Sequence, residues 1–280
     1  MIPFVPDNTP LPQALERITH LGIGAHQDDL EFMAFHGIIS CLNAPTQWFG
    51  GVTCTNGSGS ARSGSYSQFT DAEMQEIRKT EQNQAALLGQ YGAMFQLGHS
   101  SQTIKSPSDS SLKKELRSIL ESTRPEIVYT HNPADKHDTH IAVCIATLEA
   151  IRELPADLRP RQVIGCEVWR GLDWLCDSDK VIMDVSGHDA LAHSLNAVFA
   201  SQIAGGKRYD LATIGRRSAN ATFFDSHTTD QASQVIFGID LTPVAHHPEI
   251  SIHNYIHTFL QKFQNEILNR IPSPRLHDSA

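Results

Sequence analysis

The chain has 280 residues, of which 40% are hydrophobic and 19% charged, a composition that suits a folded protein with a substantial core rather than a disordered one. Its formal net charge of -9 disfavours binding to a phosphate backbone or an anionic membrane, so we expect no nucleic acid and no membrane as partner. The five cysteines show no C-x-x-C spacing, which excludes a zinc knuckle and favours a reducing compartment. The start of the sequence lacks the pattern of a signal peptide, and we expect a cytoplasmic protein.

Apolar runs and helical patterns alternate through the first half of the chain. In chain order we predict a helical turn at 11–16, a strand at 18–25, a helix at 30–42, a strand at 47–55 and a glycine- and serine-rich loop at 56–65. After this loop we predict a helix at 70–88 that starts with a capping box, a strand at 93–97, a helix at 111–123, a strand at 126–130 and a helix at 138–154. Such alternation predicts βαβ units and a mainly parallel sheet.

The second half is less regular. It predicts strands at 163–169 and 180–185 and helices at 189–202 and 255–269, with a polar loop at 205–209 followed by Gly215-Arg216-Arg217. No internal repeat or linker is visible. We therefore expect a single domain over 1–280, with a core at about 18–202 and a C-terminal extension at 203–280 packed on it.

Two polar segments each follow a predicted strand. The first is His26-Gln27-Asp28-Asp29-Leu30-Glu31, and the second runs from His131 to His140, where His137 and His140 share one face of a helix start. In α/β sheets, ligands bind beyond the carboxyl ends of the strands. If the two strands are neighbours, imidazoles and carboxylates meet there and form a set suited to a catalytic zinc ion.

These two motifs resemble the paired motifs of the LmbE-like, or PIG-L, deacetylase family. Gln27 stands where the family usually has proline, and Asp138-Thr139 departs from its His-Pro-Asp-His pattern. Weaker similarity extends to 55–57, to 78–81 and to Ser201-Gln202, where Phe199 replaces a usual histidine. The resemblance covers roughly 18–202.

The resemblance implies a Rossmann-like α/β three-layer sandwich and a zinc-dependent N-deacetylase that acts on an N-acetylglucosamine-type sugar or conjugate. It implies that His26, Asp29 and His140 bind zinc, or another divalent metal such as iron or manganese. Asp28 would be the general base, His137 the group that stabilises the oxyanion or protonates the leaving amine, and Asp135 a residue that orients His137. The resemblance also hints at a homo-oligomer.

Each assignment has a structural alternative. The acids after His26 also suit a helix N-cap, and His131 suits a strand-end histidine that is hydrogen-bonded to backbone. The family pattern points Arg78 at substrate, but it also suits an ordinary helix-face pair with Glu81.

The candidate substrate contacts also have alternative interpretations. Asn56 lies in the matched loop, and Trp169 with Arg170 offers the faces and polar groups that hold a sugar, although tryptophans more often pack in a core or an interface. The cations at 207, 208, 216 and 217 suit either an anionic substrate group or a subunit interface.

Two other functions remain compatible with the sequence. A zinc amidase or esterase for a different acyl group or a thiol-sugar conjugate would use the same metal chemistry. A non-catalytic sugar-binding protein is disfavoured, because Asp28 and His137 would be surplus to a three-ligand metal site.

Overall fold

The computed structural model describes residues 2–272, and within them seven strands form one sheet. The strands are β1 (His20–Gly24), β2 (Phe49–Thr55), β3 (Ala93–His99), β4 (Ile127–His131), β5 (Gln162–Cys166), β6 (Lys180–Asp184) and β7 (Val235–Asp240). Their order in the sheet is β3-β2-β1-β4-β5-β7-β6. The first five strands run parallel, and β7 is antiparallel to both of its neighbours.

Helices cover both faces of this sheet. They are α1 (Gln13–Glu16), α2 (Asp29–Met33), α3 (Phe35–Cys41), α4 (Asp71–Leu88), α5 (Ser101–Ile104), α6 (Ser111–Thr123), α7 (Asp138–Arg152), α8 (Asp189–Val198), α9 (Ala200–Ala204), α10 (Tyr209–Thr222), α11 (Thr242–His246) and α12 (Ile252–Arg270). One apolar cluster joins the sheet to α6, α7 and α11, and a second joins it to α2, α3, α4 and α8. Adjacent strand residues such as Val128 and Tyr129 point into different clusters, as the pleat requires. The predicted three-layer α/β fold is confirmed.

Strong local signals placed several elements correctly. Helix α4 begins after Thr70, whose hydroxyl accepts from Glu73 N at 3.3 Å while the Glu73 carboxylate accepts from Thr70 N at 2.8 Å. It ends before Gly89, as predicted, and α6 occupies the predicted residues 111–123.

Two predicted helices are each divided in two by a tertiary hydrogen bond. The helix expected at 30–42 breaks at Ala34, where Arg217 Nη2 donates to the carbonyl of Glu31 at 2.7 Å at the end of α2. The helix expected at 189–202 breaks at Phe199, because Ser201 N donates at 2.8 Å to the Glu81 carboxylate instead of continuing the helical pattern. Both bonds come from residues far away in the chain.

The region after residue 203 contributes more than an extension packed on a core. Strand β7 lies inside the sheet between β5 and β6, so this region completes the sheet. The polar loop predicted at 205–209 lies outside any helix as far as residue 208, whereas Gly215-Arg216-Arg217 lies in helix α10. That helix was not predicted, although Asp210 in its first turn is a helix-start signal. None of the helices in residues 2–272 is long and apolar enough to cross a membrane.

Candidate active site

Strands β1 and β4 are hydrogen-bonded neighbours at the centre of the sheet. Ile23 of β1 lies opposite Thr130 of β4, so both strands end at the same edge. The chain runs from β1 outward through β2 and β3 on one side and from β4 through β5 on the other. The gap between β1 and β4 is therefore the topological switch point at which open α/β sheets bind ligands.

Three side chains from the two motifs converge at this point. His26 Nδ1 lies 3.3 Å from Asp29 Oδ2, His140 Nε2 lies 3.5 Å from the same oxygen, and the two imidazole nitrogens are 3.1 Å apart. A tetrahedral zinc site with bonds of about 2.05 Å has donor atoms about 3.4 Å from one another. The spacing of these three donor atoms therefore fits a tetrahedral metal ion.

Among residues 2–272, two overlapping groups of side chains also bring donor atoms within 4.8 Å of one another and could hold a metal ion: His26, His137 and His140, and Asp29, His131 and His140. His131 and His137 each accept a backbone N–H. His131 Nε2 accepts from Ala25 N at 2.9 Å, and His137 Nδ1 accepts from Thr139 N at 3.3 Å. His131 is therefore bonded to backbone, in agreement with the sequence-based interpretation.

The hydrogen bond to Thr139 fixes the state of His137. The residue is the N-cap of α7, and burial, together with the neighbouring His140 and His26, lowers the pKa of its imidazole. A neutral ring that accepts at Nδ1 carries its proton on Nε2. His137 therefore presents an N–H donor without having to be charged.

Asp135 contacts a different histidine from the one expected. Its Oδ2 lies 3.4 Å from His140 Nδ1, whereas its Oδ1 accepts only from the backbone N of His137, at 3.1 Å. A carboxylate behind a metal-binding histidine orients the ring and raises its basicity. Asp135 therefore contacts Nδ1 of His140, whereas the other ring nitrogen of His140, Nε2, faces Asp29.

Asp28 is buried beside these donor atoms but is bonded to other groups. It adopts a left-handed backbone conformation with φ 96° as the N-cap of α2, and its N–H donates to Gln82 at 3.1 Å. Its Oδ2 accepts from Arg78 Nη2 at 2.8 Å. Burial raises the pKa of Asp28 to about 6, with Arg78 opposing the rise. This carboxylate can therefore exchange a proton near neutral pH.

Arg78 is 1% exposed and uses most of its donors inside the protein. Besides Asp28 it contacts the carbonyl of Gln27, and its Nη1 donates to Glu81 at 2.8 Å. Glu81 in turn accepts from Ser201 N and Oγ, each at 2.8 Å. These contacts hold Asp28 in place through a chain of charged groups that reaches α9.

A cavity of about 510 Å³ opens in front of this cluster. Asn56, Arg78 and Trp169 line it, so three of the expected substrate contacts face the same space, whereas Arg170 is exposed and lies outside the lining. Phe32 and Tyr209 also line the cavity and were not among the expected substrate contacts, since Phe32 fell within the predicted helix at 30–42 and Tyr209 within the predicted polar loop at 205–209.

The fold and the site together define an α/β protein with a histidine–carboxylate centre at the switch point of its sheet. Residues 21–151 match the family model described as PIG-L: GlcNAc-PI de-N-acetylase. The resemblance of the two motifs to this family is thereby confirmed, and both motifs lie within the matched residues. No curated protein sequence matches the chain.

Solved structures share the fold at low sequence identity. GalB, the 4-carboxy-2-hydroxymuconate hydratase from Pseudomonas putida, is 16% identical, with 80% of this chain and 97% of that chain covered at a TM-score of 0.61. The N,N'-diacetylchitobiose deacetylase from Pyrococcus horikoshii is 18% identical, with 78% and 83% covered at 0.59. The conserved protein TT1542 from Thermus thermophilus is 16% identical, with 83% and 98% covered at 0.59.

Proposed function

We propose that this protein is a zinc-dependent N-deacetylase that hydrolyses the acetamide of an N-acetylglucosamine-type sugar or sugar conjugate. In this proposal His26, Asp29 and His140 bind the metal, and Asp28 is the general base. The observation that carries the proposal is that the three donor atoms have a nearly tetrahedral spacing, while the neighbouring carboxylate of Asp28 is bonded to Arg78 and not to those donors.

The comparisons support the choice of reaction. The matched family model carries the name of a de-N-acetylase, and one similar structure is a chitobiose deacetylase. Zinc is our choice of metal because imidazole and carboxylate donors suit it, with iron or manganese as alternatives. We also propose a cytoplasmic protein with a small-molecule substrate and, by family resemblance, a homo-oligomer.

The metal would supply a water of lowered pKa and polarise the amide carbonyl. Asp28 takes a proton from the attacking water, a role that suits its pKa of about 6 because the carboxylate is ionised at neutral pH. Arg78 keeps that carboxylate in place during the transfer.

His137 acts on the other side of the substrate. Its Nε2–H donates a hydrogen bond to the carbonyl oxygen as negative charge develops there. The proton taken by Asp28 is delivered to the departing nitrogen, so water and amide become acetic acid and a free amine. At neutral pH the acid ionises to acetate and its proton passes to the amine or to solvent. Trp169 lies with its ring centroid 6.3 Å from that of His137, where it can pack against the sugar ring.

A hydratase is the second candidate, because GalB has the same fold. The two reactions differ in product: a hydratase adds water and releases no acetate. A zinc amidase or esterase for another acyl group is the third, and it would release a different acid.

The test is a screen of the zinc-loaded protein against N-acetylated mono- and disaccharides, with acetate and free amine measured together. We expect equal amounts of acetate and amine from at least one sugar. Release of another acid from acyl analogues, with no acetate from any acetamide, would replace the deacetylase by an amidase or esterase.

A further inference from the structure

Asp28 adopts a backbone conformation that L-residues avoid. It directly precedes the first residue of α2 and has φ 96° and ψ -28°, whereas a residue at this N-cap position usually has an extended backbone. The left-handed conformation brings Cβ too close to the following carbonyl oxygen and costs free energy. Contacts from the surrounding structure therefore have to stabilise this turn.

The local sequence favours a different and more common arrangement at the start of α2. Asp28 is followed three residues later by Glu31, which is the spacing of a capping box. In such a box the N-cap side chain accepts from the backbone N–H of the third helical residue, whose carboxylate accepts from the N-cap N–H. Within the described residues 2–272, however, the Asp28 side chain caps no N–H of α2. Its carboxylate accepts instead from Arg78 Nη2 at 2.8 Å.

Gln82 lies where this capping box would close. Its Oε1 accepts from Asp28 N at 3.1 Å, and its Nε2 donates to Glu31 Oε1 at 2.9 Å. The amide of Gln82 is thus inserted between the two groups that a capping box joins directly. Tyr91 Oη donates to the same Glu31 oxygen at 2.7 Å, so two side chains from outside α2 hold the Glu31 carboxylate.

One face of α4 therefore holds Asp28 at two points. Arg78 and Gln82 are four residues apart in this helix, so their side chains lie on the same face. Arg78 donates to the carboxylate of Asp28, and Gln82 accepts from its backbone N–H. Both side chains are buried, so water does not readily replace either bond. Asp28 lines the cavity and Gln82 lies outside the lining, so Gln82 can act on a substrate through Asp28 but not by contact.

We propose that Gln82 is a positioning residue that keeps the capping box of α2 open, so that the Asp28 carboxylate stays available as the general base. The inference rests on the proposed function, in which Asp28 takes the proton of the attacking water. Without Gln82, the Asp28 carboxylate turns to the N–H of Glu31, and the Glu31 carboxylate turns to the N–H of Asp28. The Asp28 carboxylate then leaves Arg78 and no longer faces the cavity.

The variant Gln82→Met tests this role kinetically, because it replaces the amide by a thioether of similar volume and removes both hydrogen bonds. We expect kcat for acetate release by the zinc-loaded protein to fall about tenfold to a hundredfold, the typical cost of a small displacement of a catalytic group. KM should stay within about twofold of the wild-type value, since displacement of a base lowers kcat whereas loss of a substrate contact raises KM. Bound zinc should be unchanged.

Two further variants separate positioning from a purely structural role. Gln82→Glu keeps an oxygen for the N–H of Asp28 and can share a proton with Glu31. It should therefore recover most of the turnover that Gln82→Met loses. Tyr91→Phe removes the hydroxyl at the other end of the same network and leaves the bond between Gln82 and Asp28, so it should lower the melting temperature but keep kcat within about twofold. Wild-type kcat in Gln82→Met, no recovery in Gln82→Glu, or an equal loss of kcat in Tyr91→Phe would overturn the proposal.

Crystal structures of the zinc-loaded wild type and of Gln82→Met test the same proposal without turnover. In the variant we expect a negative φ at Asp28 and a carboxylate that accepts from Glu31 N. A variant in which Asp28 keeps its left-handed conformation and its bond to Arg78 would overturn the proposal. The two proposals fail separately: a wild type that releases no acetate from any acetamide removes the deacetylase, while the crystal structures still decide whether Gln82 holds Asp28.

Discussion

Asp28 and Asp29 are adjacent in sequence but have opposite electrostatic environments. Burial opposes ionisation of Asp29, yet His140 and His131 hold its pKa well below the usual range. Burial raises the pKa of Asp28 to about 6. The left-handed turn at Asp28 separates the two side chains, so that one faces the histidines and the other faces Arg78.

We predict that Asp28→Asn retains the metal and loses about 10² to 10⁴-fold in turnover, because an amide keeps the contact with Arg78 but cannot accept the water proton. Acetate release and metal content are measured on the same preparation. Asp138→Asn, an equivalent change at an exposed position beside His137, should retain activity. An Asp28→Asn protein with full turnover would remove Asp28 from the mechanism.

Glu31 is a second buried acid near the site, and it affects stability rather than chemistry. It is 1% exposed and accepts from Tyr91 Oη at 2.7 Å and from Gln82 at 2.9 Å. Burial raises its pKa from 4.5 to about 7. The folded protein therefore binds the proton of the Glu31 carboxyl group more tightly than the unfolded chain does. The contribution of this protonated group to the free energy of unfolding is complete below pH 4.5 and is lost as the pH rises through about 7.

In Glu31→Gln this loss should disappear. The free energy of unfolding of the wild type should fall, relative to that of the variant, by up to about 1.4 kcal/mol per pH unit within that window. Urea titrations at several pH values, with both proteins in the same metal state, measure the difference. Glu76→Gln, at an exposed position on α4, should parallel the wild type. Parallel curves for Glu31→Gln and wild type would show that the pKa of Glu31 is not raised in the folded protein.

At the level of elements, glycine allows α3 to lie close to the sheet. A Cβ built on Gly37 would lie 2.6 Å from a ring carbon of Tyr129 and 3.0 Å from one of Phe49. Gly215 is also in a helix, α10, but a Cβ there would meet nothing within 4 Å.

The same substitution should therefore have opposite effects at the two positions. Gly215→Ala should raise the free energy of unfolding by roughly 0.5–1 kcal/mol through helix propensity. Gly37→Ala should lower it by about 1–3 kcal/mol, since two buried rings have to move. Denaturant unfolding of both variants tests this, and a stabilised Gly37→Ala would mean that α3 can move away from the sheet at little cost.

Elements with local signals were the ones that the sequence predicted well. The capping box at Thr70 and the glycine at 89 bounded α4 correctly, because those signals act within one helical turn. The breaks at Ala34 and Phe199 were missed because their causes, Arg217 and Glu81, lie far away in the chain. Strand β7 was missed although the run Val235–Asp240, rich in β-branched and aromatic residues, is a local strand signal. Its position between β5 and β6, by contrast, depends on pairing that no local pattern specifies.

At the level of the whole molecule, the cluster of histidines and carboxylates could be anticipated because each half of it immediately follows a strand. Parallel order brought His26 and His140 together without any further information. The sequence offered Trp169 as a candidate substrate contact but did not predict that Phe32 and Tyr209 line the same cavity, because the three residues come from separate elements and loops whose packing no local pattern specifies.

We expect a metal ion held between β1 and β4 to enable amide hydrolysis. The measurement is acetate release by chelator-stripped protein during titration with zinc, with bound zinc determined by elemental analysis. We predict no release from stripped protein, recovery that is complete at about one zinc per chain, and neither binding nor recovery in His140→Ala. Full acetate release from stripped protein, or full recovery in His140→Ala, would contradict this prediction.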